Sequence, residues 1–162
     1  MTAEIHTKKG VMKIKFFEKD APNTVKNFVT LAEKGFYNGL TFHRVIPDFV
    51  IQGGNIWTRE AGKVSKEMGA RARRTIPDEP NKILHERGVV SMARADEANT
   101  ATSNFFILVD SAPSLDGKFA AFGRVTKGME VVDAINKVSV TDEKPEKPVK
   151  VKKASISLCP AQ

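Results

Sequence analysis

Arg44 and Gln52 stand in the chain's densest run of chemistry-bearing residues, Thr41-Phe42-His43-Arg44-Val45-Ile46-Pro47-Asp48-Phe49-Val50-Ile51-Gln52-Gly53-Gly54. A period of two along its first half predicts a strand with Phe42, Arg44 and Ile46 on one face and His43 and Val45 on the other. A guanidinium among apolar neighbours must find an acceptor or face a cavity, because burying an unpaired charge costs several kcal/mol. Past the Pro47 turn, Gln52 shares a face with Val50, so an amide sits on an apolar strand close to the arginine strand. Two oriented donors above an apolar floor suit an uncharged ligand that carries a carbonyl. Read in isolation, the arginine better suits pairing with a carboxylate.

Other chemistries find less support. The histidines at 6, 43 and 85 lack metal-ligand spacing, and the sole cysteine, Cys159, has no partner and reads as structural. Gly53-Gly54 is not followed by the Gly-Lys of a phosphate loop, nor does a helix open there, so it reads as a strand-ending turn. Neither a metal nor a cofactor is expected.

The elements that must position these residues follow from local pattern. A Lys9-Gly10 turn separates two short runs, and Met12, Ile14 and Phe16 alternate with Lys13 and Lys15 as in a half-buried strand. Pro22 then opens a helix whose apolar face is Val25, Phe28, Val29 and Ala32, closed by Gly35. Leu40 to Gly54 reads as two strands around Pro47. Asn55 to Pro80 holds Arg59, Lys63, Lys66, Arg71, Arg73 and Arg74 among few apolar residues and reads as a long, solvated surface excursion. Gly88–Ala93, Asn104–Val109 and Ala120–Val125 read as strands, the first two covered on both faces, and Met129, Val132 and Ile135 mark a second short helix. Thr141 to Pro148 reads as a loop. In the last strand the apolar positions change parity at Lys152-Lys153, which predicts a bulge or boundary there. Many short strands with two helices argue for an antiparallel barrel or sandwich.

The length, 162 residues, suits one domain with a sizeable core, and 41% hydrophobic residues exclude dominant disorder. The net charge of +7 bears on association rather than on fold. No apolar run is long enough for a membrane span, and the first residues lack the apolar core of a signal peptide. With one cysteine, a reducing, cytoplasmic setting is expected.

The run Phe42 to Gly54 resembles the cyclophilin family of peptidyl-prolyl isomerases. So do Ser91-Met92-Ala93-Arg94-Ala95, Asn104-Phe105-Phe106-Ile107, Leu115-Asp116-Gly117-Lys118 and Phe122-Gly123-Arg124-Val125, which occur in the family's order. The resemblance implies one cyclophilin-type domain over residues 1–162, a mainly β fold with a closed eight-stranded antiparallel barrel, and a helix capping each end. It places the catalytic arginine on Arg44 and the substrate-positioning glutamine on Gln52. The proline pocket falls on Phe49, Val50, Phe106 and Leu115, with Val50 where many members have Met. His43 matches the histidine at the rim, and Ala93 and Arg94 match the backbone edge that meets the substrate. Asn104 falls where members have Gln, and Phe119 where many have His.

Three features depart from the family's pattern. The Arg94 to Asn99 segment is one residue longer, Ser114 replaces the Trp of drug-sensitive members, and the excursion Asn55 to Thr75 is longer and poorer in glycine. The implied partners are proline-containing polypeptides and folding proteins, with weak cyclosporin binding, a monomeric state, and no membrane or nucleic acid. The alternative is a module that binds proline segments, or nucleic acid through the basic loop, with incidental turnover.

Overall fold

The computed structural model describes residues 1–60 and 62–158; the reading of Cys159 lies outside them. In chain order the elements are β1 (Thr2–Thr7), β2 (Gly10–Phe16), α1 (Pro22–Glu33), β3 (Arg44–Ile46), β4 (Val50–Gly53), α2 (Lys66–Arg71), β5 (Val89–Met92), β6 (Phe105–Leu108), β7 (Ala121–Lys127), α3 (Met129–Asn136), β8 (Val140–Thr141), β9 (Lys144–Pro145) and β10 (Val151–Ser157).

β1 and β2 pair from Thr2 with Lys15 to Thr7 with Gly10, burying Ala3, Ile5, Met12, Ile14 and Phe16 on one face. Helix α1 forms as the pattern requires. Pro22 occupies its first turn, where a missing N–H costs nothing, and Val25, Phe28 and Ala32 are buried as expected, with Leu31 buried beside them and the expected Val29 only half-buried. Gly35, at φ +75°, ends it, and the Phe36 N–H donates back to the Leu31 carbonyl at 3.0 Å, a Schellman closure. At the other end the helix has no side-chain cap of its own. Glu79 supplies one from a distant loop, its carboxylate accepting from the backbone N–H groups of Asn23 at 3.2 Å and Thr24 at 2.5 Å, and from the Thr24 hydroxyl at 2.7 Å.

Eight strands form one antiparallel sheet in the order β10-β1-β2-β7-β5-β6-β4-β3, and the small β8–β9 hairpin stands apart. The expected closure is not complete. β3 and β10 share no ladder, because β3 has only three residues and the chain before it has left strand geometry. The two edges meet through that preceding segment, where Thr41 bridges Lys150 and the Phe42 N–H donates to the Val149 carbonyl at 3.0 Å. The architecture is an open half-barrel.

Both faces of the sheet are covered at β5 and β6, which are buried throughout and apolar except for Ser91. The interior core includes Met12, Ile14, Phe28, Phe42, Val45, Ile51, Phe105, Ile107 and Phe122; Val50, Val89, Phe106, Leu108, Ala112 and Ala121 form a separate cluster on the outer face. Phe42 corrects the expected alternation. It is fully buried inside with Val45, whereas Arg44 points outward, since period-two parity does not extend back past the start of β3. The predicted bulge is present: pairing of β10 with β1 passes from Val151–Thr7 to Lys153–His6, leaving Lys152 as the extra residue.

The basic excursion is more structured than a solvated loop. It contains α2, a third helix, with Ser65 Oγ accepting from the Met68 N–H at 3.1 Å. Arg59 anchors it by donating from Nη2 to the Gly35 and Phe36 carbonyls at 3.0 and 2.7 Å, and Arg71 donates to Asn27 Oδ1 at 3.0 Å. Residues 141–148, read as a loop, contain the β8–β9 hairpin. No helix among the described residues is long and apolar enough to cross a membrane.

Candidate active site

Arg44 pairs with Gln52 across β3–β4, Gln52 with Phe106 across β4–β6, and Phe106 with Ser91 across β6–β5. Directly opposed residues in antiparallel strands project to the same face, so these four side chains form one row on the outer side of the sheet. The row two residues along, Ile46, Val50 and Leu108, continues the same face as its apolar floor. Above it lies a concavity of about 210 Å³ lined by Arg44, Phe49, Val50, Gln52, Ala93, Arg94, Phe106, Leu115 and Phe119.

Its walls are aromatic. Phe106 and Phe119 meet edge to face with ring centroids 5.9 Å apart, and the Arg94 guanidinium lies 5.1 Å over the Phe119 ring. Arg94 also donates from Nη1 to the carbonyls of Ala95, Asp96 and Glu97, bracing the segment beside the pocket. The turn Pro113–Leu115 brings Leu115 to the wall and leaves Ser114 exposed next to it.

At the polar rim, Arg44 Nη1 is 3.5 Å from Gln52 Oε1, and Arg44 Nε donates to Glu143 Oε2 at 2.7 Å. Arg44 and Glu143 are each about half exposed (48% and 46%), so the ion pair itself contributes only about 0–1 kcal/mol to stability. The arginine thus satisfies both readings of its sequence context, because it pairs with a carboxylate and also overlooks an apolar cavity.

Two expected residues lie elsewhere. His43 lines a different concavity, with Thr41, Phe42, Trp57, Thr58, Lys144, Pro145 and Pro148, since it points away from Arg44; burial holds its imidazole below the usual histidine pKa. Asn104 is not in the pocket wall. Its carbonyl accepts the Ala93 N–H at 3.0 Å, extending the β5–β6 ladder by one pair.

Sequence reasoning also passed over two residues, Glu143 and His85. His85 is fully buried behind Phe106, its ring stacked at 6.3 Å. Its Nδ1–H donates to Asp116 Oδ1 at 3.2 Å and its Nε2 accepts from the Ser91 hydroxyl at 2.9 Å, the arrangement of a neutral imidazole. Burial holds its pKa below the usual value, partly opposed by the Asp116 hydrogen bond. Among the described residues no group of three or more His, Cys, Asp or Glu side chains is placed to hold a metal ion.

The family described as Cyclophilin type peptidyl-prolyl cis-trans isomerase/CLD matches residues 2–156. The chain belongs to the cyclophilin family. It is 43% identical over 142 residues to a peptidyl-prolyl cis-trans isomerase of Helicobacter pylori, covering 86% of this chain and 83% of that one. It is 40% identical over 154 residues to one of Schizosaccharomyces pombe, covering 93% and 96%. A crystal structure of a cyclophilin type peptidyl-prolyl cis-trans isomerase of Cryptosporidium parvum, determined in the presence of the dipeptide Ala-Pro, superposes with a TM-score of 0.84 at 30% identity, covering 97% of this chain and 99% of that one. The protein is accordingly a cyclophilin-type peptidyl-prolyl cis-trans isomerase, an enzyme that speeds rotation about X-Pro bonds.

Proposed function

We propose that the outer-face concavity seats the proline ring, that Arg44 is the catalytic group, and that Gln52 holds the carbonyl oxygen of the residue before proline. The observation that carries this reading is the single row that sets Arg44 and Gln52 at the rim of a pocket walled by Phe49, Val50, Phe106, Leu115 and Phe119. X-Pro isomerisation crosses a barrier of about 18–20 kcal/mol that is set by amide resonance. As the bond twists, the prolyl nitrogen loses double-bond character and becomes a pyramidal acceptor. A fixed donor aimed at that nitrogen therefore acts in the transition state and hardly at all in the ground state. The apolar walls clamp the ring while the other side of the bond rotates, and no bond is made or broken.

The substrates are exposed X-Pro bonds of many polypeptides, including folding chains, met in the cytoplasm. Ala93 and Arg94, which line the concavity, meet the peptide beside the proline, whereas His43 and Asn104, whose side chains lie off the pocket wall, take no part in seating the ring. The test is titration of an Ala-Pro peptide followed by NMR. Shifts concentrated on Gln52, Phe106, Leu115 and Phe119 support the assignment, and shifts confined to another surface overturn it.

A further inference from the structure

We propose that Glu143 is a positioning residue for the isomerase reaction, gripping Arg44 at Nε so that the rest of the guanidinium plane faces the pocket. The inference rests on the reading of Arg44 as the catalytic group. A guanidinium is a rigid fork with five N–H donors on a flexible stem. Exposed to water as Arg44 is, such a stem samples many rotamers, and a donor that wanders cannot act as a preorganised one. Glu143, which does not line the cavity, takes the Nε–H on Oε2 at 2.7 Å, and Nη1 lies 3.5 Å from Oε1 of Gln52, which does line it. Among the described residues no other acceptor takes the remaining Nη hydrogens, and Arg44 lines the cavity. Because Nε and both Nη groups share one plane, fixing Nε and the stem fixes where those free donors point.

The backbone around Glu143 supports the same role independently. Asp142 and Glu143 form the β8–β9 turn with φ +51° and +67°, a left-handed conformation that residues with a Cβ adopt at a cost. A two-residue hairpin turn of this kind favours glycine at its second position. Glycine would relieve the backbone and lose the carboxylate. The Glu143 carbonyl also accepts the Val45 N–H at 2.7 Å, so the turn is tied to the very strand that carries Arg44. Glu143 thus holds β3 with its main chain and the catalytic side chain with its carboxylate.

The test compares Glu143→Gln, which keeps the shape and removes the charge, with Glu143→Gly, which keeps the turn and removes the side chain. Each is made in the wild type and in Arg44→Ala, with thermal unfolding as a check on folding. Isomerisation of an Ala-Pro peptide is followed by NMR exchange at enzyme concentrations high enough to quantify the weak variants. In the wild-type background both substitutions should lower kcat about two- to fivefold with KM unchanged, the scale of one half-exposed ion pair. In Arg44→Ala they should change nothing further, because the group being positioned is gone. Full turnover in both Glu143 variants, a loss carried by KM, or the same loss in the Arg44→Ala background overturns the inference. Near wild-type turnover in Arg44→Ala alone overturns the reading on which it rests.

Discussion

On the proposed mechanism Arg44 acts only as far as its N–H groups are aimed before the bond begins to twist, so its loss should appear in turnover more than in binding. Removing one preorganised donor costs about 10²- to 10³-fold, or roughly 2.7–4 kcal/mol, and Arg44→Ala should fall in that range on an X-Pro peptide. Arg44→Lys should recover little of the loss, because an ammonium has no second edge for Glu143 to hold and no planar fork to present. A protease-coupled assay on the three proteins, each shown folded by circular dichroism, decides the matter; a folded Arg44→Ala enzyme of near wild-type rate would sink the mechanism. Ser114 sits exposed beside Leu115 at the pocket wall, where an indole would add a large apolar contact and an N–H donor. Ser114→Trp should therefore be inhibited by cyclosporin more strongly than the wild type. Equal inhibition of both would show that this position does not govern the drug.

Helix α1 illustrates what local pattern can and cannot show at the scale of an element. Its span and buried face follow from Pro22, the apolar spacing and Gly35, but its N-terminal cap comes from Glu79, 55 residues from Thr24. Glu79→Ala strips acceptors from two backbone N–H groups and from the buried Thr24 hydroxyl. The loss of a cap costs about 0.5–2 kcal/mol, which lowers the melting temperature of a chain this size by roughly 2–6 °C. Thermal denaturation followed by circular dichroism measures it, and an unchanged transition would mean that water replaces the carboxylate without loss. The same division runs through the fold. The first hairpin, α1, α3, the doubly covered β5 and β6 and the Lys152 bulge were legible because period and parity are local. The pocket residues were named from the family resemblance, and nine of them line the one concavity, three through the cross-strand row and the rest from the floor and the flanking loops; His43 and Asn104 fall outside it because neither side chain reaches the pocket wall. The Glu143–Arg44 pair spans 99 residues and leaves no trace in either segment. Helix α2, at six residues, is too short for a periodic face, and Phe42 was set on the wrong side because a three-residue strand cannot carry its parity backwards.

For the molecule as a whole, two histidines shielded from water, the buried His85 and the half-buried His43, should govern how stability responds to mild acid. His85 lies behind the pocket and His43 beside it, and burial holds both imidazoles below the ordinary value in the folded state. In the unfolded chain they regain a pKa of about 6.5. Between the two values the unfolded state binds more protons than the folded one, so stability is fully present above about pH 6.5 and declines as pH falls from there toward the folded pKa values. Asp133, held below the usual carboxylate range by its hydrogen bond to Arg87, acts only at lower pH, below about 4. The interval from pH 7.5 to 5.5 therefore isolates the imidazoles. Urea unfolding across it should show a falling midpoint, with a slope of at most about 1.4 kcal/mol per pH unit for each histidine. His85→Gln keeps an amide able to meet Asp116 and Ser91 but does not titrate, so it should flatten the dependence even if it lowers stability at pH 7.5. A midpoint that stays level from pH 7.5 to 5.5 in the wild type, or falls equally in His85→Gln, would show that His85 is free to take a proton without disturbing the fold. In that case the neutral His85–Ser91 bond could not be what holds the ring in place behind Phe106.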